Sequence, residues 1–515
     1  MHGTITTSRA RARTSALVVA AIVAVAFALR ATTLARPSIH HPDEIYQYLE
    51  AAHRYLFGYG VVPWEYRVGM RSWLLPLLLS GPMALGNLIA PGGTIYLLLP
   101  RLAMIAASTT IVGSAWTLGA RVSRTHAICA AIVAATWYEF IALAAHPLGE
   151  TTGLASACAA AALAFGGRQD AKRMAAAGAL LALTCVLRFQ YGPAVLVLAA
   201  FAGGRDRRGR WLPMAAGGAA MLVVSAAVDL AFGAVPFFWL LENVRQNIVL
   251  DKAAGFGTSP VTAYIGVLGN MWSWASVPIV IAAYIGGRRF PALFWAAVVH
   301  FALHSLIAHK EFRFILLTSG FAIILAAIGT VDLIDRLAAR VGRPRRVVLL
   351  SVSMIVWIAV SILLGARWER RPLWTARSAS LATFTDLRRD PALCGIGLIG
   401  VPISEFGGYT VLHRQIPIYM IDRRYPRQRQ AAAAFAPAYD SIIVTSMRAG
   451  DVPAGFTRAG CRSTAGEYIG NYTNPQDAGS ISAICLYRRP GRCDARTQRQ
   501  ATPLEVNRVL ADLGM

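Results

Sequence analysis

Charged residues are scarce in this sequence: they make up 15% of the chain, against about 25% in soluble domains. Hydrophobic residues make up 56% and are gathered in long runs. Although 515 residues could form several soluble domains, such runs favour a polytopic membrane protein. No convincing small-residue cleavage site follows the first apolar run, so we expect that run to be retained as an anchor.

Acidic residues are outnumbered by basic ones, 26 against 50, which gives a formal net charge of +24. A nucleic-acid partner would be one explanation of this excess. Many basic residues, however, lie in short clusters between apolar runs, which is the pattern of cytoplasmic loops. We therefore expect them to face the cytoplasm and anionic lipid, with no nucleic-acid partner. The clusters are 9–13, 121–124, 168–173, 205–210, 288–289 and 336–346.

The apolar runs predict about eleven membrane spans, with the N-terminus in the cytoplasm. Segment 73–90 is apolar but short, and two prolines and two glycines interrupt it. We interpret it as interfacial or re-entrant, because an extra crossing would place the basic run 121–124 outside. The predicted spans are 15–34, 95–119, 127–145, 151–166, 174–187, 192–203, 211–231, 262–285, 290–308, 313–334 and 347–365.

The composition changes after the last span. Residues 1–365 would form a membrane domain that carries the site, and residues 366–515 a soluble α/β domain outside the membrane. Alternating runs predict strands, and a helix-like piece lies between them. The strand-like runs are 395–401, 416–421, 441–445 and 481–487, and the helix-like piece is 427–435.

Cysteines are few, seven in all. Three lie in apolar spans and are expected to be small core residues. The four in the C-terminal region would form two disulfides in an oxidising compartment. All three pairings remain open, as does the alternative of four free thiols. These four are Cys394, Cys461, Cys485 and Cys493.

The external loop 36–94 carries an unusual density of titratable side chains. Asp43 and Glu44 follow two histidines and a proline at the expected membrane surface. Apolar surroundings disfavour the charged form of a carboxylate, which raises its pKa and suits a general base. The alternative is that Asp43 caps a helix that continues to about residue 57. The sequence leaves open which of the two carboxylates is the base.

A second charged turn, residues 309–314, interrupts a largely apolar run. Ionisable groups are costly at membrane depth and indicate a function. Lys310 and Arg313 could bind a phosphate, and Glu311 could orient a base. The alternative is an ordinary external turn.

Three further external features are weaker signals. Glu150 lies in the turn 146–150, where a structural role is at least as well supported. Arg188 is either another phosphate contact or a snorkelling arginine. The glycines of loop 229–264 suggest either a mobile lid or a plain loop.

The sequence has no Walker motif, no Rossmann glycine fingerprint and no zinc-type Cys/His spacing. A nucleotide-sugar or ATP site therefore has no support. We expect no cofactor and no resident metal, with a divalent cation as an open alternative.

Taken together, the motifs resemble those of the family 22 GT-C glycosyltransferases, the mannosyltransferases of GPI-anchor and asparagine-linked glycan assembly. Residues 309–314 are similar to the second family signature. Residues 229–233 with Asn243 and 257–260 are similar, more loosely, to its middle loop. The similarity covers about residues 15–330, and Tyr66 stands where the pattern favours tryptophan. The first-loop motif consists of His41-Pro42-Asp43-Glu44, Glu50, Ala52-His53, Gly58, Gly60, Trp64-Glu65-Tyr66 and Arg71-Ser72.

This resemblance implies a GT-C-like enzyme that transfers mannose, with inversion, from a polyprenyl-phosphate donor to a hydroxyl of a glycan or glycolipid on the extracytoplasmic face. Asp43 would be the base, with Glu44 as its neighbour or substitute. The donor phosphate would contact His309, Lys310, Arg313 and Arg188. The acceptor would be positioned by His41, Glu50, His53, Trp64, Glu65, Arg71, Glu150 and Glu311.

The alanine- and arginine-rich composition is typical of a high-GC bacterium, in which the acceptor would not be a GPI anchor. Two other classes of protein compete with the enzyme. A transporter or flippase of a polyprenyl-linked glycan would show paired repeats with broken helices, and no convincing repeat is present. A membrane-anchored binding module in residues 366–515 would leave both charged turns unexplained.

Overall fold

The computed structural model describes residues 2–167, 169–341, 343–421, 433–465 and 483–514. Within these residues, six helices are long and apolar enough to cross a membrane. The expected helical membrane fold is confirmed, whereas the number of eleven spans stays a prediction. The six helices are Thr14–Ala35, Ile95–Val122, Arg207–Ala231, Ala263–Gly287, Phe312–Ala339 and Arg345–Gly365.

Shorter helices complete the bundle. The predicted span 127–145 is two helices, because the chain is extended at Trp137. The segment interpreted as re-entrant is one helix of 16 residues, about 24 Å long, which is less than the hydrocarbon core of about 30 Å. The shorter helices are Leu74–Ile89, Arg124–Thr136, Tyr138–Ala142, Gly149–Phe165, Ala171–Leu187, Gly192–Gly203 and Pro291–Leu306.

The helix Leu316–Val341 is the central one and is mostly buried. It packs closely against Ser276–Gly287 through glycines. A Cβ atom on Gly329 would lie 1.9 Å from the carbonyl oxygen of Ala282. Small residues of this kind let membrane helices approach each other. The helix begins directly after the charged turn that contains Arg313, so its packing fixes that turn.

Arg30 lies in the first span and is fully buried. Its guanidinium donates to the Ser108 hydroxyl (3.1 Å) and to the carbonyl oxygens of Ala135 (3.1 Å) and Ala134 (3.0 Å). Both alanines belong to the last turn of Arg124–Thr136, where carbonyl groups have no partner within the helix. The arginine therefore caps a helix from another part of the chain.

The described residues of the C-terminal region form a five-stranded sheet in the order β2-β1-β3-β5-β4. β1 is parallel to both of its neighbours, and β5 is antiparallel to both of its own. Disulfides join Cys394 to Cys493 and Cys461 to Cys485. The strands are β1 (Ile396–Ile399), β2 (Ile418–Ile421), β3 (Ser441–Thr445), β4 (Thr457–Ser463) and β5 (Ala483–Arg488).

Sequence reasoning missed β4, whose residues are all exposed and carry no alternating apolar pattern. Most of the helix-like piece predicted at 427–435 lies outside the described residues. The short helices of this region are Ser378–Arg388, Gly408–Leu412, Ala495–Gln500 and Val506–Asp512.

One apolar core joins the first external loop to the C-terminal region. Leu49 and Ala52 belong to the same buried cluster as Phe384 and Val411. The Tyr46 hydroxyl adds polar contacts, because it lies 2.6 Å from the carbonyl oxygen of Phe406. The division of the chain at residue 365 stays a prediction, since packing continues across it.

Candidate active site

The first external loop folds into a π-helical turn, Glu44–Leu49, which continues as the helix Glu50–Phe57. Asp43 precedes this turn with helical backbone angles and makes no capping hydrogen bond with its side chain. The alternative role of Asp43 as a helix cap is therefore not found. Its side chain is directed instead toward Arg313.

Arg313 holds three carboxylates together. Its guanidinium nitrogens lie 2.7 Å from Asp43 Oδ2, 2.9 Å from Glu150 Oε1 and 2.6 Å from Glu311 Oε2. The arginine side chain is 4% exposed, and that of Asp43 is 20% exposed. Of the four groups, Asp43 therefore has the largest accessible surface for a substrate. The predicted contact between Arg313 and a donor phosphate stays a prediction.

The pKa of Asp43 is lowered, not raised as the sequence had suggested. Burial alone would raise the pKa of this carboxyl, but the charges of Arg313 and His41 hold it well below its usual range. His41 is well placed for this effect: its Nδ1 lies 3.3 Å from Asp43 Oδ1, and its Nε2 lies 3.3 Å from Glu311 Oε2. The predicted increase in basicity was wrong because the cation lies 270 residues away in the sequence.

Glu44 is enclosed. Its side chain is 0% exposed and lies 2.8 Å from Nδ1 of His146. It also accepts a hydrogen bond from the backbone N–H of His41 (3.0 Å). Burial favours a higher pKa, yet His146 lowers the pKa of Glu44 overall. This carboxylate therefore orients the turn that carries Asp43.

The charged turn 309–314 is attached to residues 257–259 of the external loop 229–264. The Lys310 ammonium donates to the carbonyl oxygen of Ser259 (3.2 Å) and to that of Ile307. His309 contacts the carbonyl oxygen of Gly257 (3.0 Å) and Glu311 (3.1 Å). Burial favours a lower pKa for His309, but Glu311 raises it overall. The phosphate-binding roles predicted for both residues remain untested.

A narrow cleft lies beside this network. Two arginines line it: Arg188, 3.2 Å from Glu150, and Arg71, 3.6 Å from Glu65. The Nε atoms of both are buried and have no hydrogen-bond partner among the described residues. Because Glu150 contacts both Arg188 and Arg313, the cleft and Asp43 belong to one network.

Two residues predicted to position the acceptor lie elsewhere. Glu50 accepts hydrogen bonds from the backbone N–H groups of Val61 (2.7 Å) and Thr410 (2.5 Å). His53 lies 3.2 Å from the ring of His413. The contacts with Thr410 and His413 join the loop to the C-terminal region. Trp64 lies under the Lys252 ammonium, 4.6 Å from the ring centre, and its role stays a prediction.

The cleft also contains residues to which sequence reasoning assigned no role in the site. Tyr48, Gln190 and Asn243 line it, and Asn243 donates to the carbonyl oxygen of Met70 (2.8 Å). The signal for Gln190 was its position beside Arg188 in a predicted external turn. Tyr48 gave no such signal, because it follows Glu44 on a turn whose π-helical geometry the sequence did not predict.

Comparisons with known proteins agree with this architecture. The family model of the Alg9-like mannosyltransferase family matches residues 21–382. GPI mannosyltransferase 3 of Yarrowia lipolytica is 29% identical over 298 residues, which are 55% of this chain and 57% of that protein. GPI alpha-1,2-mannosyltransferase 3 of Danio rerio is 26% identical over 318 residues, 57% of this chain and 56% of that protein. The matches thus span little more than half of these relatives.

A solved structure extends the likeness to nearly the whole fold. It is ArnT from Cupriavidus metallidurans bound to undecaprenyl phosphate, with a TM-score of 0.58 over 91% of this chain and 97% of that one. At 12% identity, this likeness concerns the GT-C fold alone. The family match covers well over half of the sequence, and it includes both charged turns. The chain therefore belongs to the Alg9-like mannosyltransferase family.

Proposed function

We propose that this chain is an inverting membrane mannosyltransferase. It moves mannose from a polyprenyl-phosphate donor to a hydroxyl of a glycan or glycolipid on the extracytoplasmic face. The names of its relatives support mannose as the sugar. The undecaprenyl phosphate named with ArnT supports a lipid phosphate as the carrier.

One observation carries this proposal: two arginines with unpartnered buried N–H groups line a cleft beside a part-exposed aspartate. A buried guanidinium N–H without an acceptor is costly. Phosphate oxygens would satisfy such groups in charge-assisted hydrogen bonds. We therefore assign the donor phosphate to Arg71 and Arg188, and the acceptor hydroxyl to Asp43.

In the reaction, the acceptor oxygen attacks the anomeric carbon while the bond from that carbon to the phosphate oxygen breaks. The hydroxyl proton goes to Asp43, and the electron pair leaves with the phosphate. Arg71 and Arg188 stabilise the charge that develops on the phosphate. Because phosphate is a good leaving group, a weak base is sufficient, and the low pKa of Asp43 keeps it ionised at neutral pH.

The remaining groups position these three. Arg313 orients Asp43 and balances its charge, and Glu44 fixes the turn through His146. Lys310 and His309 attach the charged turn to residues 257–259. None of these roles requires a nucleotide.

The two disulfides and the basic clusters support the proposed orientation. Disulfides persist in oxidising compartments, which favours an extracytoplasmic C-terminal region. The basic clusters favour a cytoplasmic N-terminus. The site, which shares its core with the C-terminal region, would then face outward.

The test is transfer of labelled mannose from polyprenyl-phosphate mannose in membranes that contain the full chain. We expect Asp43→Asn to lower the rate about a thousandfold, within the range for loss of a general base. Glu44→Gln should have a smaller effect, because Glu44 is enclosed. Asp251→Asn, in a loop outside the network, is the control, and immunoblots would verify equal amounts of protein.

Each outcome has a distinct meaning. A full loss in Glu44→Gln with activity retained in Asp43→Asn would move the base to Glu44. Absence of transfer by the wild type would contradict the proposed donor or the proposed reaction.

A further inference from the structure

A second concave site lies where the first external loop meets the C-terminal region. It is an open groove, separate from the cleft with Arg188. One wall comes from residues 54–62, and the other comes from residues 409–417 and 505–507. The groove lining includes Arg54, Tyr59, Tyr409, Gln415, Glu505 and Asn507.

Two tyrosines form the aromatic part of the groove. The rings of Tyr59 and Tyr409 are 5.5 Å apart and nearly perpendicular. Both side chains are partly exposed. The Tyr409 hydroxyl donates to the carbonyl oxygen of Ile416 (2.9 Å), which fixes its ring. The groove therefore offers an aromatic surface held in place by the chain around it.

The polar part is available to a ligand. The Tyr59 hydroxyl, the Gln415 amide and the Glu505 carboxylate make no hydrogen bond or ion pair with any other residue in the described ranges. Asn507, by contrast, is engaged: it donates to the carbonyl oxygen of Gly60 (2.9 Å) and accepts from the N–H of Val62 (2.8 Å). These two bonds hold the walls of the groove together.

This chemistry selects the class of ligand. Arg54 and Glu505 carry opposite charges, so the groove does not favour an anion such as the donor phosphate. Sugar rings have apolar C–H faces, which pack on aromatic side chains, and hydroxyl edges, which pair with amides and carboxylates. We propose that the groove binds the distal sugars of the acceptor glycan. This inference rests on the proposed function and specifies the length of the acceptor glycan.

The position of the groove sets that length. Asp43 lies at the start of the helical stretch 44–57, and Tyr59 lies just beyond its end. Fourteen helical residues span roughly 20 Å. A single sugar at Asp43 would not reach Tyr59. The acceptor that fits both sites is therefore an oligosaccharide of several residues.

The experiment uses the full chain in lipid nanodiscs and α-linked manno-oligosaccharides of one, two and four residues. Binding would be measured by saturation-transfer NMR, and steady-state transfer by the label assay. The variants are Tyr59→Ala and Glu505→Gln. The control is Tyr55→Ala, because Tyr55 lies on the same helical stretch, is 54% exposed and packs against Phe232 instead of the groove.

We expect each groove variant to weaken binding of the tetrasaccharide and to raise its KM about tenfold, the change produced by one lost contact of average strength. The KM of the monosaccharide and kcat should be unchanged, and Tyr55→Ala should behave as the wild type. A general structural defect would affect both acceptors alike.

The two proposals can fail separately. If the wild type binds the tetrasaccharide through Tyr59 but transfers no mannose, the groove stands and the proposed reaction falls. If transfer occurs and neither groove variant discriminates between acceptor lengths, the reaction stands and the groove proposal falls. Failure of the wild type to bind any of the three sugars would also overturn the groove proposal.

Discussion

Two carboxylates of the same external loop have opposite electrostatic environments. Asp43 contacts the guanidinium of Arg313, and its pKa is lowered. Glu50 is fully buried and is held by the backbone N–H groups of Val61 and Thr410. Burial raises the pKa of Glu50 to about 7, and these hydrogen bonds offset only part of the increase.

The difference shows that a cation in contact, more than burial, decides the charge of a carboxylate here. It also separates two tasks within one loop. The end with Asp43 is assembled by residues of the membrane helices and is suited to chemistry. The end with Glu50 is assembled by the C-terminal region and serves to dock it.

After replacement of Asp43 itself, the largest expected effect comes from weakening the surroundings of Asp43. Arg313→Lys keeps one positive charge, but a single ammonium cannot contact three carboxylates in the same geometry. We expect kcat to fall about a hundredfold. The pKa of Asp43 should rise, so the acid limb of the pH–rate profile should move to higher pH. Arg289→Lys, on a surface-exposed arginine paired with Asp332, is the control. An unchanged acid limb would show that Arg313 does not set the charge of Asp43.

The next largest effect should come from replacing the two arginines of the cleft, which should weaken binding of the donor. Each charged hydrogen bond contributes about 1.5–3 kcal/mol, so Arg71→Gln and Arg188→Gln should each raise the KM for the lipid-phosphate donor at least about tenfold. The KM for the acceptor should change little. A rise confined to the acceptor KM would return Arg71 to the acceptor-positioning role predicted from the sequence.

Glu50→Gln would test the opposite end. The folded pKa of about 7 exceeds the unfolded value of 4.5, so the folded state keeps a proton that the unfolded state loses first. The stabilisation that comes from protonated Glu50 is complete below about pH 4.5 and is lost as the pH rises through about 7. Thermal unfolding should therefore show a decline in wild-type stability, relative to Glu50→Gln, of about 3 kcal/mol across this window. Parallel pH curves would contradict a raised pKa.

The smallest expected effect concerns a glycine beside Glu50. A Cβ atom on Gly408, whose φ is +69°, would lie 2.1 Å from Glu50 Oε1. Gly408→Ala should destabilise the fold by about 2 kcal/mol beyond backbone strain, as overpacking does. Gly455→Ala is the matched control, because Gly455 also has positive φ but no neighbour within 4 Å. Equal unfolding temperatures for the two variants would show that the docking contact tolerates a methyl group.

Local patterns predicted much of the fold. Segment 441–445 was predicted as a strand and is β3, and the predicted span 95–119 lies within Ile95–Val122. The membrane fold, the C-terminal sheet region and the family are confirmed. The spans were predicted from hydrophobic runs and the strands from alternation. Both patterns depend on residues close together in sequence.

The site was predicted in part. Density of charge identified Asp43 and Arg313, and the turn 146–150 was a weaker signal for Glu150; the structure brings the three side chains together. It could not separate them from Glu50, whose partner Thr410 lies 360 residues away. The direction of the shift in the pKa of Asp43 likewise depended on a contact between distant residues, Asp43 and Arg313. Sequence reasoning thus found where charge is concentrated but not which charges meet.

The buried arginine of the first span has a consequence for biogenesis. Arg30 leaves the ribosome 105 residues before Ala135, one of the carbonyl groups that it caps. Until then an arginine in a lone span costs up to about 3 kcal/mol in the bilayer. We therefore expect the later helix, once inserted, to stabilise the first span in the membrane. A nascent chain stopped before residue 134 should be extracted from the membrane more readily than one stopped after residue 142.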